Sequence, residues 1–313
     1  MIFRGMLNDR SSYRKLLVLV GFALFFVILF TMIGGLCSFL LFGTNPFTNP
    51  AAINEINSPN VLNSLKLLQT FSSIGLFIIP VFVSAFLFEI KPFKWLRLTN
   101  RPQFHILLLV LITIIFASPV INWMMVMNQH LALPSFLKGL EDWMKQSEDH
   151  AAELTKLFTA STSFTGLTIN LFIIALLPAI GEELLFRGAI QPLLTDMTKN
   201  KQIGILLSAI IFSAVHLQFY GFLPRMMLGI YLGYLVAWSG SLWYSIAVHF
   251  FNNGLAVVFI FMQNRNKLPF DPDTIGTQQG DESTLIASIV FVTILIFACH
   301  RSMSNQIAVS QVE

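Results

Sequence analysis

The sequence predicts an all-α, polytopic integral membrane protein with about eight transmembrane helices. Hydrophobic residues make up 55% of the 313 residues and charged residues only 11%, whereas roughly 25% of residues are charged in soluble domains. The apolar residues are grouped in runs close to the ~20 residues that a spanning helix needs. The first run, Leu16–Phe42, is too long for the ~7–15-residue core of a signal peptide, so we interpret it as the first span.

Eight apolar runs follow one another along the chain, and the fifth, sixth and eighth are short. We expect a single membrane domain, 1–313, that divides into three N-terminal spans (1–128), an extracytoplasmic amphipathic segment (129–164), core helices (165–262), and an outer loop, last span and tail (263–313). The runs are Leu16–Phe42, Leu67–Phe88, Phe104–Met127, Thr165–Ile190, Ile203–Phe219, Phe222–Trp238, Leu242–Met262 and Leu285–Cys299.

The distribution of basic residues predicts that both termini are cytoplasmic. Cytoplasmic segments beside spanning helices carry an excess of Lys and Arg. The two terminal segments and alternate loops hold 12 of the 19 basic residues. Termini on the same side require an even number of spans, which agrees with eight. The 12 residues are Arg4, Arg10, Arg14, Lys15, Lys91, Lys94, Arg97, Arg101, Arg187, Lys199, Lys201 and Arg301.

The longest segment between the third and fourth spans has the pattern of an amphipathic surface helix. Residues Pro134–Phe158 place apolar side chains at helical spacing among charges, as in helices that lie in a membrane interface. This segment is expected on the extracytoplasmic side. It is either a simple cover over the bundle or a gate for substrate.

Other features narrow the class further. The net charge of +3 and the lack of basic tracts with interleaved aromatics argue against nucleic-acid binding. Cys37 and Cys299 both lie in apolar runs, which indicates neither a disulfide framework nor a thiolate zinc site. The expected partners are the lipid bilayer and a membrane-associated protein or peptide. Short loops and the lack of targeting signals favour the bacterial inner membrane.

The fourth span carries charges where an apolar helix should have none. Its run LLPAIGEELLFRG contains Glu182, Glu183 and Arg187, and each unpaired charge at the centre of a span costs about 2.5–3.5 kcal/mol on the insertion scale. Glu183 and Arg187 are four apart and can pair on one face. Glu182 points about 100° away, so it is the free carboxylate. Pro178 cannot donate to the carbonyl of Ile174, and we expect a kink one turn before the acids.

Two later spans contribute the remaining polar groups. His216 lies in FSAVH, and His249 and Asn253 lie in HFFNN, where their four-residue separation puts them on one helical face. Polar groups that are costly to bury on three neighbouring spans are most simply explained by one shared site. Counted from the predicted cytoplasmic ends, Glu182 and His249 lie about eight residues deep, on the order of 12 Å. We therefore expect a wet cavity that opens toward the cytoplasm.

The runs GEELLFRG, FSAVH and HFFNN, in this order on three apolar segments, resemble the motifs of the CAAX protease and bacteriocin-processing family (CPBP/Abi). This family of intramembrane endopeptidases includes the type II CAAX prenyl proteases. The resemblance covers roughly Thr165–Phe261 and departs from the family at none of the motif positions. The first three spans and the amphipathic segment show no family-specific feature.

The resemblance implies a role for each motif residue in peptide-bond hydrolysis near the cytoplasmic face of the membrane. By similarity, Glu182 and His216 activate a water molecule, and His249 with Asn253 stabilises the oxyanion. Both roles suit the residue types, because a carboxylate can act as a general base and adjacent His and Asn side chains can donate hydrogen bonds to a tetrahedral intermediate.

Other interpretations stay open at this point. Glu183 and Arg187 would support the site by fixing the helix and balancing charge. The sequence leaves the cofactor open: Glu182, His216 and His249 could bind zinc as a His₂Glu set with water in the fourth position, and the metal-free route is slightly favoured. A proton-coupled transporter and a non-catalytic scaffold of the same fold are the alternatives from other classes.

Overall fold

A computed structural model describes residues 3–46, 58–130, 133–268 and 270–310, with side chains up to residue 304. The predicted divisions 1–128, 129–164 and 263–313 each include a few residues outside this description. Every regular element in the described part is helical. The main helices are α1 (Ser12–Phe42), α2 (Pro59–Phe88), α3 (Phe104–Gln129), α4 (Lys138–Thr159), α5 (Phe164–Thr198), α6 (Lys201–Ala214), α7 (Phe222–Ser239), α8 (Leu242–Asn264) and α9 (Glu282–Ser310). Short helical turns lie at Pro92–Trp95, Ser135–Leu137, Phe219–Gly221 and Pro272–Thr274.

The helix lengths and compositions confirm an all-α polytopic membrane protein. Among the described residues, 7 helices are long and apolar enough to cross a membrane, and α6 is a shorter apolar helix. α1 and α9 are the least buried of the spanning helices. Their large apolar side chains, such as Leu40 and Phe297, point away from the bundle, as expected for helices that face lipid.

The start of α1 and the C-terminal part of α9 lie at one end of the bundle, which we call the basic end. The hydroxyl of Ser12 at the start of α1 donates to Asp196 near the end of α5. His300 of α9 packs against Trp238, near the end of α7, with ring centroids 5.0 Å apart. The two ends of the chain therefore lie on the same side, while the prediction that this side is cytoplasmic stays a prediction.

The short helix α6 connects the two ends of the bundle. It begins at the basic end, where Lys201 donates to the carbonyl of Ala237 at 3.0 Å. Its 14 residues rise about 21 Å, and an irregular segment that includes Leu217, in the left-handed region with φ 55°, completes the path. This segment reaches Phe219, whose carbonyl accepts from Asn128 at the far end of α3 at 2.6 Å. The chain therefore traverses the bundle between α5 and α7, as expected for the fifth predicted span, although the helix itself is shorter.

Several predicted boundaries were wrong; for example, α2 begins at Pro59 and not at Leu67. α5 continues to Thr198 and contains 35 residues, eight beyond the predicted end at Ile190, because Pro192 occupies the start of a helical turn and does not interrupt the path of the helix. The last helix is a full candidate span over Glu282–Ser304 and is longer at both ends than the predicted run Leu285–Cys299.

The predicted amphipathic helix is confirmed as α4, and it lies across the other end of the bundle, which we call the α4 end. Its last turn is held by two neighbouring helices. Lys66 of α2 donates to the carbonyl of Phe158 at 2.9 Å, and Asn264 of α8 donates to the carbonyl of Thr159 at 2.8 Å. Both donors satisfy carbonyls that a helix C-terminus leaves without an intrahelical partner.

Close packing of α2 against α5 positions the acidic pair in the middle of the bundle. A Cβ atom built on Gly181 would lie 2.8 Å from the Cβ of Phe77 in α2. Only glycine allows this approach, since real side chains do not pack so closely. The residues that follow, Glu182 and Glu183, are consequently buried between helices.

Candidate active site

Glu183 and Arg187 form the buried ion pair that their spacing predicts. Arg187 Nη1 lies 2.6 Å from Glu183 Oε1, with side chains 1% and 0% exposed. Arg187 Nη2 also donates to the carbonyl of Gly229 in α7 at 3.2 Å. Its guanidinium carbon lies 4.3 Å from the centre of the Phe212 ring, within the range of a cation–π interaction. The pair therefore joins α5, α6 and α7 at the floor of the site.

The two predicted histidines each use Nδ1 for a hydrogen bond that fixes the ring. His249 Nδ1 lies 2.9 Å from Glu183 Oε1, and His216 Nδ1 lies 2.8 Å from the carbonyl oxygen of Phe212. A carboxylate and a carbonyl can only accept, so in both rings Nδ1 carries a proton and donates. In the neutral imidazole, Nε2 is then an acceptor.

Glu182 faces both of these Nε2 atoms. Its Oε2 lies 3.8 Å from His216 Nε2 and 3.8 Å from His249 Nε2, too far for a direct hydrogen bond but within reach of one bridging water. Oε2 of Glu182 has no hydrogen-bond partner among the described residues. Three acceptors, from α5, from α8 and from the segment that follows α6, thus converge, as expected for a site that binds a group with hydrogens to donate.

Asn253 binds the backbone group that Pro178 leaves without its usual partner. The side-chain amide of Asn253 donates to the carbonyl of Ile174 at 3.3 Å, the oxygen to which residue 178 would donate in a regular helix if it were not proline. The segments Leu171–Leu176 and Leu184–Ile190, on either side of this turn, are π-helical, a feature frequent at functional sites. Asn253 therefore lies beside the acids but has one N–H already in use.

Phe212 is the structural centre of the site, a role that the sequence pattern did not reveal. Its ring packs edge-on against His216, with centroids 5.1 Å apart, and against His249, with centroids 6.0 Å apart. The ring is 2% exposed and also lies against Arg187. The Phe212 ring therefore packs against both imidazoles and the Arg187 guanidinium and fixes their relative positions.

The site lies in a cavity of about 780 Å³ that extends from Glu182 to the underside of α4. α4 contributes three apolar side chains at helical spacing, Ala151, Leu154 and Phe158, together with Thr155. The other lining residues come from α2, α3, α5, α7, α8, and α6 with the segment that follows it: Gln69, Ile121, Met125, Ile173, Ile174, Pro178, Glu182, Phe212, His216, Gln218, Gly221, Pro224, Arg225, Leu228, His249, Asn252, Asn253 and Ala256.

The position of the cavity corrects the predicted depth of the site. Glu182 lies 16 residues before the end of α5 at Thr198, and not the eight residues that the sequence predicted. This separation places it about 24 Å from the basic end. The cavity extends toward α4 and away from the end that carries the termini. The predicted depth was wrong because the sequence count placed the end of α5 two turns too early, whereas the prediction that the cavity opens toward the cytoplasm stays a prediction.

Arg225 is a further charged residue of the cavity that the sequence interpretation did not single out. It lies on the first turn of α7, half-buried, and lines the cavity together with Glu182 and His216. A signal was available, since Arg225 falls inside the predicted sixth span, where a charge needs an explanation.

Glu182 Oε2 lies slightly farther from each Nε2 atom than two ligands of one tetrahedral zinc ion lie from each other. Zn–N and Zn–O bonds of about 2.0–2.2 Å place neighbouring ligand atoms roughly 3.3–3.6 Å apart, whereas both separations from Glu182 Oε2 are 3.8 Å. Within the described part of the chain, no group of three or more His, Cys, Asp or Glu side chains is arranged to hold a metal ion. The cysteines Cys37 and Cys299 are free thiols and lie outside the site.

Fold and site together define a polytopic helical membrane protein with a polar cavity inside its spanning helices. The family model of the type II CAAX prenyl endopeptidase Rce1-like proteins matches residues 164–255. This match confirms the resemblance seen in the three motifs and supports a CAAX-type membrane protease function in general. All six motif residues lie in the matched segment. No curated protein and no solved structure matches the chain.

Proposed function

We propose that the protein is an intramembrane endopeptidase that hydrolyses a peptide bond in a membrane-associated protein or peptide. The observation that carries this proposal is the position of Glu182 Oε2, 3.8 Å from the Nε2 atoms of both His216 and His249 inside a cavity within the membrane domain. The family match over residues 164–255 supports the same reaction class.

Glu182 and His216 activate the attacking water in this proposal. A water molecule between them donates one hydrogen to Glu182 Oε2 and the other to His216 Nε2, which leaves an oxygen lone pair for the carbonyl carbon. Glu182 accepts the proton as the new C–O bond forms, and it then delivers that proton to the departing amine as the C–N bond breaks. General-base catalysis of this kind contributes about 10²–10⁴-fold.

His249 and Asn253 stabilise the oxyanion. His249 donates Nδ1–H to Glu183, so its Nε2 can donate to the oxyanion only when the ring is an imidazolium. Asn253 has a second amide hydrogen besides the one given to Ile174. Glu183 and Arg187 act through His249 by holding its ring, and so they are positioning residues.

We favour a metal-free reaction, because the described side chains provide a general base and donors without a metal ion. If zinc were bound, Glu182, His216 and His249 would be its ligands, and it would supply a more acidic bound water. We also propose the bacterial inner membrane as the location, on the basis of the short loops alone.

The proposal is tested by comparing the peptides released in membranes that contain wild type or Glu182→Gln protein. We expect a defined set of cleavage products that disappears in Glu182→Gln and in His216→Ala, with unchanged protein levels. Glu153→Gln, an exposed acid on α4, is the matched control and should cleave normally. Full cleavage by both Glu182→Gln and His216→Ala would contradict the proposal.

A further inference from the structure

Arg225 is a charged residue whose partners inside the protein are neutral. Its Nη1 donates to the carbonyl of Gln218 at 3.1 Å and its Nη2 to the side-chain oxygen of Gln218 at 2.7 Å. Among the described residues, no carboxylate oxygen lies within 4.0 Å of its guanidinium. Unpaired charges inside spanning segments are costly, and those that persist are usually functional.

The acidic groups near Arg225 belong to the site and to its cover. The charges of two carboxylates act on Arg225, Glu148 on α4 and Glu182 on α5. Glu148 accepts a hydrogen bond from the backbone N–H of Tyr220 at 3.4 Å, and Glu182 faces the two imidazoles. A guanidinium has five N–H donors, so the two bonds to Gln218 leave donors for a ligand in the cavity.

Arg225 lies between the catalytic floor and α4. Gly229, whose carbonyl accepts from Arg187, is four residues further along α7 and on the same helical face. Arg225 is therefore about one helical turn, roughly 5 Å, nearer to the α4 end than that contact. An extended peptide advances about 3.3 Å per residue, so a substrate with its scissile carbonyl at Glu182 reaches Arg225 within a few residues.

We propose that Arg225 is a specificity-determining residue that binds a carboxylate of the substrate a few residues from the scissile bond. A planar guanidinium matches a carboxylate with two parallel hydrogen bonds. The carboxylate is either the C-terminal group of the substrate or an Asp or Glu side chain. This inference rests on the proposed peptidase function and adds the chemical class of substrate that the cavity selects.

The test uses three internally quenched, S-farnesylated peptides that differ in whether they carry a carboxylate at the C-terminal end and in where it lies. The first ends Cys-Val-Ile-Ala as the free acid, the second is the same peptide as the C-terminal amide, and the third is an amide that ends in Asp. Affinities are measured on the Glu182→Gln protein, and KM and kcat on the active protein, each with Arg225 and with Arg225→Gln. Lys145→Gln, an exposed cation of α4, is the control.

We expect Arg225→Gln to weaken binding and raise KM for a carboxylate peptide by about 10- to 100-fold, while kcat changes little and the plain amide is unaffected. Arg225→Lys should restore part of the preference, because it keeps the charge but not the planar fork. If Arg225→Gln weakens binding of the free acid only, Arg225 binds the C-terminal carboxylate. If it weakens binding of the Asp amide only, Arg225 binds an acidic side chain.

The inference is overturned if the three peptides bind equally, if none binds, or if Arg225→Gln alters all three in parallel. These outcomes differ from failure of the peptidase proposal. That failure would appear as cleavage by the Glu182→Gln protein at the same rate as by the protein that keeps Glu182. Should Arg225→Gln unfold, Arg225→Lys with the same three peptides decides the question, because it keeps the charge that the turn at Gln218 binds.

Discussion

Replacing Glu183 by Gln should destabilise the protein strongly, whereas the same change at the neighbouring Glu182 should not. Glu183 and Arg187 are 0% and 1% exposed and lie 2.6 Å apart. Glu183→Gln leaves the Arg187 charge buried without its counter-ion, and breaking a buried pair in this way costs about 3–5 kcal/mol. Glu182 borders a cavity and its Oε2 bonds to no described residue, so Gln fits there with little loss of stability.

The contacts that remain around Arg187 cannot replace the lost carboxylate. The carbonyl of Gly229 and the face of Phe212 both attract the guanidinium, but neither carries a formal charge. The double variant Glu183→Gln/Arg187→Met should recover most of the stability, because exchanging a buried pair for apolar side chains is often neutral. It should stay inactive, since His249 no longer has a carboxylate at Nδ1.

The assay is reversible unfolding in mixed micelles, with cleavage measured on the same preparations. Glu182→Gln should unfold like wild type yet cleave nothing, Glu183→Gln should unfold earlier, and the double variant should combine near-normal unfolding with no cleavage. An unfolding free energy of Glu183→Gln within about 1 kcal/mol of wild type would refute the reasoning, because it would mean that the buried guanidinium needs no counter-ion.

Three further outcomes can be tested, two from single contacts and one from the choice between a metal-free and a zinc reaction. Pro178→Ala supplies an N–H to the carbonyl that Asn253 now binds, so kcat should fall by about 10²-fold while thermal stability is maintained or rises; unchanged kcat would contradict this. Lys66→Met removes donors to Phe158 and Asn170, so hydrogen exchange in the last turn of α4 should rise about tenfold, without loss of the overall fold. Chelation of the purified active enzyme should leave cleavage unchanged, and loss of activity that zinc restores would favour the metal route.

The sequence was sufficient to predict that polar side chains from separate spans lie close together, because charge and imidazole inside apolar runs are costly and need partners. Glu182, His216 and His249 come together as expected, and the Glu183–Arg187 pair follows directly from the four-residue spacing. These predictions depend on composition and helical periodicity, both of which are local properties of a spanning helix.

Contacts between helices were not predictable in the same way. The hydrogen bond from His249 to Glu183 depends on the register of α8 against α5, and it determines which ring nitrogen faces the cavity. The amide of Asn253 binds a carbonyl on α5, three helices earlier in the sequence, for the same reason. Arg225 was missed because a cation near the end of an apolar run is usually interpreted as an interfacial anchor.

The sidedness of the cavity is the remaining consequence of the fold, and it has a direct test. Excess Lys and Arg at the basic end predict that this end is cytoplasmic, so α4 and the cavity beneath it should face the opposite side. In a cysteine-free background, an impermeant maleimide added to intact cells should label Lys145→Cys in α4 and spare Lys199→Cys at the basic end; both parent residues are exposed. Labelling of Lys199→Cys alone would reverse the orientation and return the cavity to the cytoplasmic side, because the two ends of one bundle cannot lie on the same face of the membrane.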